Sequence, residues 1–232
     1  MSEESAATTG AMLEIDTLQL GAMGTNCYIV RELGSREAVV VDPGDEHERI
    51  LELLDERELT VAGILVTHCH YDHIGAVAAL AAATGADVWM SESEALALEH
   101  PEQFVFPGMP VIAPWRVDHR LTGHEHINVA GIHFDVLSLP GHSPGHLGFL
   151  THGTPDASGD GWEMPPVCFV GDVIFRGSVG RTDLPFADGP TLKRSLKQLL
   201  ERLDPDTVLL SGHGQPTELR HEAATNRFLR GI

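Results

Sequence analysis

Three imidazoles and a carboxylate fall within six residues, at His68, His70, Asp72 and His73. They sit in Thr67-His68-Cys69-His70-Tyr71-Asp72-His73-Ile74-Gly75, directly after the apolar run Ala62-Gly63-Ile64-Leu65-Val66. Imidazole nitrogen and carboxylate oxygen bind Zn²⁺ and other borderline divalent ions, with bonds of roughly 2.0–2.2 Å. A lone histidine is ordinarily a surface or satisfied core residue. Four coordinating groups at the end of a buried strand are different, because unpaired polar groups there are costly. The expectation is a metal site.

Three further ligand types occupy comparable places. Ile132 to Leu139 reads as a strand and ends in Pro140-Gly141-His142-Ser143-Pro144-Gly145-His146. Val167 to Val170 ends in Gly171-Asp172, and Thr207 to Leu210 ends in Ser211-Gly212-His213-Gly214. Each ligand lies at or beside a glycine, which lets the backbone turn tightly. Sites in open α/β sheets form where strand C-termini meet along one edge. His124-Glu125-His126 has metal-pair spacing, but it adjoins the alternating Ile127-Asn128-Val129-Ala130-Gly131 and reads as a solvated hairpin outside the site.

The elements that must carry these groups follow from periodicity. Met12 to Leu20 and Asn26 to Arg31 read as strands paired around the Gly21–Gly24 turn. Ala38-Val39-Val40-Val41 is a buried strand stopped by Asp42-Pro43-Gly44. Glu46 to Glu58 carries Ile50, Leu53 and Leu54 at helical spacing. A helix is expected over Ile74 to Thr84, then a strand over Asp87 to Met90. Glu99 to Thr122 holds four prolines and reads as an irregular flap with short strands, either a pocket wall or a surface insertion. A strand over Leu147 to Leu150 leads to Thr151–Pro166, rich in Gly, Pro, Asp and Ser, which is expected to be a mobile loop. Leu192, Leu196, Leu199, Leu200 and Leu203 share one face of a helix over Leu192 to Leu203. Thr217 is expected to cap a final helix running to about Leu229. Alternating strands and helices imply a layer of helix against sheet.

Composition sets the outer limits. A chain of 232 residues with 42% apolar side chains fits one α/β domain over 11–232 after a disordered tail, 1–10. The formal charge of −19, from 15 basic and 34 acidic residues, opposes nucleic-acid binding and adhesion to anionic membranes. Cys27, Cys69 and Cys168 are odd in number and widely spaced, which fits a reducing, cytoplasmic setting. The N-terminus lacks the basic and apolar regions of a signal peptide, and Ile74 to Ala86 is too short to span a bilayer.

The four motifs together, in this order and spacing, resemble the metallo-β-lactamase superfamily over about Leu13 to Phe228. The resemblance implies a four-layer αββα sandwich with two mixed β-sheets and a two-metal site on one edge. His68, His70 and His142 would hold the first metal; Asp72, His73 and His213 the second; Asp172 would bridge them. The ions would be Zn²⁺ first, with Fe or Mn²⁺ as alternatives. Two ions roughly 3.5–4 Å apart lower the pKa of a shared water toward ~7. The resemblance then implies attack of the bridging hydroxide on a carbonyl carbon, with Asp72 and Asp172 as the catalytic carboxylates. An Asp at 172, rather than the Cys or missing carboxylate of true β-lactamases, disfavours antibiotic hydrolysis.

Gly171 to Pro185, Gly212 to Thr217 and Asn226 to Leu229 look like the short bacterial glyoxalase II-like enzymes. Those cleave a 2-hydroxyacyl thioester such as S-lactoylglutathione, so the implied partner is a small-molecule thioester. Arg181 aligns with a basic residue that contacts the glutathione carboxylate, unless it pairs with Asp183. Tyr71 is the second candidate substrate contact, with core packing as its alternative. Persulfide dioxygenases share the HxHxDH core and the Gly-Arg-Thr-Asp run; that reading places a single iron on His68, His142 and Asp172. Another small-molecule ester or lactone hydrolase is also open, as is a non-catalytic metal-binding module. Cys69 is expected to pack away from its flanking histidines, His146 to support His142, and Asp42 to orient a ligand histidine. Oligomeric state is not specified.

Overall fold

The computed structural model describes residues 12–104, 110–158 and 161–232. The expected 1–10 tail lies outside the described residues. The chain begins with β1 (Leu13–Leu20), β2 (Thr25–Glu32) and β3 (Glu37–Val41), followed by α1 (His47–Glu56) and β4 (Thr60–Leu65). Then come α2 (Tyr71–Ile74), α3 (Val77–Thr84), β5 (Asp87–Ser91), α4 (Ala95–Glu99) and β6 (His119–Leu121). These six strands form one sheet in sequence order, antiparallel through β3 and parallel from β3 to β6.

The second half supplies β7 (His126–Val129), β8 (Ile132–Ser138), β9 (Leu147–Thr151), β10 (Thr154–Pro155), β11 (Trp162–Met164) and β12 (Val167–Gly171). It continues with β13 (Ile174–Phe175), β14 (Ser178–Val179), α5 (Gly189–Arg202), β15 (Val208–Ser211), β16 (Thr217–Glu218) and α6 (Leu219–Thr225). The second large sheet runs β16-β15-β12-β9-β8-β7 and is also mixed, because β12 and β15 are parallel.

Successive side chains of a strand point to opposite faces, and a strand covered on both faces reads as a continuous apolar run. In β3, Ala38 and Val40 pack with Ile50, Leu54 and Leu80 of the outer helices. Val39 and Val41 face inward toward Phe134, Phe149 and Phe169 of the second sheet. β12 repeats the arrangement: Phe169 faces inward, whereas Cys168 and Val170 meet Leu192, Leu196 and Leu199 of α5. The result is helix, sheet, sheet, helix, as expected.

Several local expectations need correction. The helix expected over Ile74–Thr84 starts earlier, at Tyr71, and is interrupted at Gly75–Ala76 between α2 and α3. Gly44 explains the close fit there, since a Cβ on it would lie 1.6 Å from the Asp72 carbonyl oxygen. The 151–166 segment is not simply loop: β10 and β11 pair within it, and Leu13 N–H donates to Met164 Sδ at 3.1 Å. Thr217 does not cap the last helix. It lies in β16, its hydroxyl donates to Glu222 at 2.6 Å, and α6 ends at Thr225 before a short 3₁₀ turn over Arg227–Leu229. His126 lies in an exposed β7–β8 hairpin paired with Asp135. The 99–122 flap contains β6 and a 3₁₀ turn at Pro101–Gln103, with α4 just before it; residues 105–109 lie outside the described residues.

Candidate metal centre

Four strand ends bring the expected residues to one edge of the sandwich. The β4–α2 turn carries His68 and His70, and α2 carries Asp72 and His73; His142 follows β8, Asp172 follows β12 and His213 follows β15. His70 Nδ1 lies 3.0 Å from His68 Nε2 and 2.9 Å from His142 Nε2. Asp72 Oδ2 lies 3.3 Å from His213 Nε2 and 3.7 Å from His73 Nε2. Asp172 stands between the two groups. Its Oδ2 is 3.5 Å from His142 Nε2 and 3.5 Å from His213 Nε2, and its Oδ1 is 3.4 Å from His73 Nε2.

For His142 and His73 the inward nitrogen is selected by a partner on the opposite side of the ring. A ligand histidine characteristically donates its other N–H to a carbonyl or carboxylate, which fixes the tautomer. His142 Nδ1 donates to the backbone carbonyl of Arg181 at 2.9 Å, so Nε2 presents a lone pair to the cluster. His73 Nδ1 donates to Asp42 Oδ2 at 2.8 Å. Asp42 also accepts from Thr67 N–H at 2.7 Å and from the Thr67 hydroxyl at 2.6 Å. Asp42, His68 and His73 therefore group closely, but the Asp42 oxygens are already engaged, so this group is a support behind the site.

The electrostatics divide the centre in two. Burial pushes His68 well below the ordinary imidazole range, helped by the imidazoles around it. Burial and then His142 hold His70 at about 4. The second group behaves oppositely. Hydrogen bonding to Asp172 and Asp72 pushes His213 up to about 9. Burial opposes charge on His73, yet Asp172 and Asp42 outweigh it and raise its pKa well above the ordinary value. Burial also opposes ionisation of Asp72, but His213, His73 and Thr25 bring it down to about 2.

The donor set suits divalent ions. His68, His70 and His142 place three ligand atoms within 4.8 Å of one another, and so do Asp72, His73 and His213. Buried polar atoms are normally hydrogen-bonded, yet His73 Nε2 and Asp172 Oδ1 are buried with no well-formed hydrogen bond and meet each other at 3.4 Å. The space is kept open by Gly212, where a Cβ would lie 2.2 Å from Asp172 Oδ1 and 2.5 Å from His73 Cε1.

The other expected residues fall as follows. Tyr71 and His70 line a cavity of about 340 Å³ beside the centre, whose far wall is Phe104, Val111 and Ile112 of the proline-rich flap. The flap is thus a pocket wall. Cys69 packs against the outer core and also reaches this cavity. Arg181 is exposed, and its guanidinium forms a two-bond fork with Asp183, both at 2.7 Å. The support expected of His146 for His142 is not found. His146 instead stacks on His68 at 4.7 Å between ring centres, and its Nε2 accepts from Asp172 N–H at 3.1 Å. His142 uses the Arg181 carbonyl.

Glu94 and Thr25 escape a sequence reading. Buried Glu94 accepts from Cys69 N–H and from Gly145 N–H, each at 2.7 Å, tying the His70 turn to the His142 loop. Thr25 donates its hydroxyl to Asp72 Oδ2 at 2.8 Å. Neither lies in a ligand-like motif, and only the folded contacts mark them.

Comparison with known proteins bears on this geometry. A sequence-family model described as the metallo-beta-lactamase superfamily matches residues 20–213. Hydroxyacylglutathione hydrolase GloC of Haemophilus influenzae is 34% identical over 220 residues, covering 94% of this chain and 98% of its own. The crystal structure of BLEG-1 B3 metallo-beta-lactamase is 33% identical with a TM-score of 0.83, covering 94% of this chain and 100% of that one. The crystal structure of TTHA1623 in a di-iron-bound form is 38% identical with a TM-score of 0.75, covering 92% and 100%.

Proposed function

The chain belongs to the metallo-beta-lactamase superfamily, and on that premise we propose that it is a glyoxalase II-like thioesterase with a dinuclear metal site. The observation that carries this is Asp172 standing between two ligand groups, within 3.5 Å of His142 and His213 and 3.4 Å of His73. Among the relatives, GloC is named a hydroxyacylglutathione hydrolase, which supports the thioester over other acyl substrates.

His68, His70 and His142 would hold one ion, Asp72, His73 and His213 the other, and Asp172 both. Bound there, Zn²⁺, Fe or Mn²⁺ would supply an activated water near neutral pH and a Lewis acid for a carbonyl oxygen. The chain's own groups prepare that chemistry. The Arg181 carbonyl and Asp42 fix the tautomers of His142 and His73, so that Nε2 of each is turned inward. Asp72 and Asp172 stay ionised, because the surrounding imidazoles outweigh their burial. As carboxylates they are available to an ion or as acceptors toward a water, and neither serves as a proton donor. None is demanded: a free thiol has a pKa of about 8.5 and leaves readily as a thiolate. Tyr71, on the cavity wall beside His70, is placed to contact the acyl or thiol portion.

The test is thiol release from a panel of thioesters by metal-loaded protein, S-lactoylglutathione included, run beside oxygen uptake with glutathione persulfide and ring opening of a β-lactam. Thiol release without oxygen consumption supports the proposal. Oxygen uptake with one iron per chain would replace it with the dioxygenase reading. Selective β-lactam opening would replace it with the activity named for BLEG-1.

A further inference from the structure

The cavity beside His70 is apolar and carries no lysine or arginine among its described lining residues. Leu96, Phe104, Val111, Ile112, Leu184 and Phe186 are among its lining residues. Its volume of about 340 Å³ is at the small end of ligand pockets, which span roughly 300–1,000 Å³. Four of the eight large apolar side chains exposed among the described residues lie on this one feature: Leu96, Phe104, Val111 and Phe186. Clustering of that kind marks a binding surface, whereas scattered exposed apolar residues need no explanation.

Two details indicate a built wall. Phe186 has a φ of 66°, a left-handed conformation that bulky side chains rarely adopt, and is 75% exposed. Strained backbone persists where the surroundings enforce it, and it concentrates at ligand clamps. Pro110, Val111 and Ile112, which line the cavity, stand in an uncharged stretch that runs to Trp115, in a chain of net charge −19.

The described cavity lining offers an anionic ligand no lysine or arginine to pair with. Glu94 is the acidic residue of the lining, with both oxygens committed to Cys69 N–H and Gly145 N–H. Arg181, the cation that the resemblance aims at a glutathione carboxylate, has its fork filled by Asp183. Glutathione carries two carboxylates, and no free cation of the described lining meets either.

We infer that the substrate is a thioester bearing an uncharged, apolar group, which lodges between Leu96, Ile112 and Phe186 while the thioester carbonyl meets the metal centre. The inference rests on the thioesterase reading and names its substrate class. An apolar pocket gains about 0.8 kcal/mol per buried methylene, or about fourfold in kcat/KM. A group of several carbons should therefore be preferred over lactoyl by about tenfold or more.

The experiment compares S-hexanoyl-N-acetylcysteamine, with the apolar group on the acyl side, S-hexyl thiolactate, with it on the thiol side, and S-lactoylglutathione. Calorimetry with the non-hydrolysable thioether S-hexyl-N-acetylcysteamine gives a readout independent of turnover. We expect one hexyl-bearing thioester to exceed S-lactoylglutathione by about tenfold in kcat/KM. Val111→Lys and Leu96→Lys, both at exposed positions, should reduce that advantage and weaken thioether binding. Turnover of all three esters at similar kcat/KM, unmoved by either variant, overturns the inference and leaves the thioesterase reading standing. Thioether binding that the variants weaken, with no thioester cleaved, supports the pocket and removes the thioesterase reading. A dimer that Val111→Lys dissociates, with no apolar preference in the substrates, assigns this face to a second copy and overturns the inference.

Discussion

Asp42 Oδ2 accepts a hydrogen bond from His73 Nδ1 at 2.8 Å, behind a ring whose Nε2 faces Asp72 and Asp172. The turn after β3 thereby sets the orientation of His73, a candidate metal ligand in α2. Asp42 is buried and has a φ of 52°, a conformation that Asn adopts more readily than Ala. Asp42→Asn should keep the turn and weaken affinity for the second ion by about 10–100-fold, as loss of such partners typically does. Competition against a chelator, with ions per chain counted at each step, checks this. Asp42→Ala should in addition lower the unfolding midpoint.

Glu94 joins two ligand-bearing loops through Cys69 N–H and Gly145 N–H. Glu94→Gln retains one acceptor and sets an amide N–H₂ against the other donor. The cost is about 1–3 kcal/mol, the penalty for a buried group left unsatisfied. Denaturant unfolding measures the loss, and kcat should fall with it as His70 and His142 loosen.

Metal loading should depend on pH in two stages. His68 and His70 are already neutral near pH 6, because burial holds them low. His213, at about 9, and His73 must each lose a proton before they can bind an ion. Metal-stripped protein should thus take up one equivalent at pH 6 and gain affinity for the second as pH rises toward 9. Equilibrium titrations at stepped pH, with proton release recorded, test the order.

The same shifts fix a stability profile for the stripped protein. The folded pKa of His213 is raised, so its contribution is complete below about 6.5, the ordinary value, and disappears as pH rises through about 9. Asp72 is lowered, so its contribution is present above 3.8 and is lost as pH falls through about 2. Thermal unfolding of stripped protein should weaken between pH 6.5 and 9, and added metal should cancel that loss.

The layers and the strand ends are legible because continuous apolar runs, glycine turns and clustered ligand types are local signals. Val39 and Val41 could be assigned to a buried strand without knowing that Phe134, Phe149 and Phe169 would cover them. Supports that act across the fold were less legible. Arg181 invites attention for its guanidinium, yet its backbone carbonyl is what touches His142. His146 has the spacing of a partner for His142 and stacks on His68 instead. Thr217 looked like a helix cap because threonine favours that role, but pairing of β16 with β15 took it first. Glu94 has no local signal at all, since its two donors lie 25 and 51 residues away.

The central claim is tested most directly by counting metal on protein purified without added metal, alongside thiol release from the thioester panel. The account predicts about two ions per chain, a fall to one with His213→Ala, and loss of thiol release on chelation that returns when metal is restored. A folded protein that binds no ion, or one that cleaves thioesters equally well after complete metal removal, would contradict it.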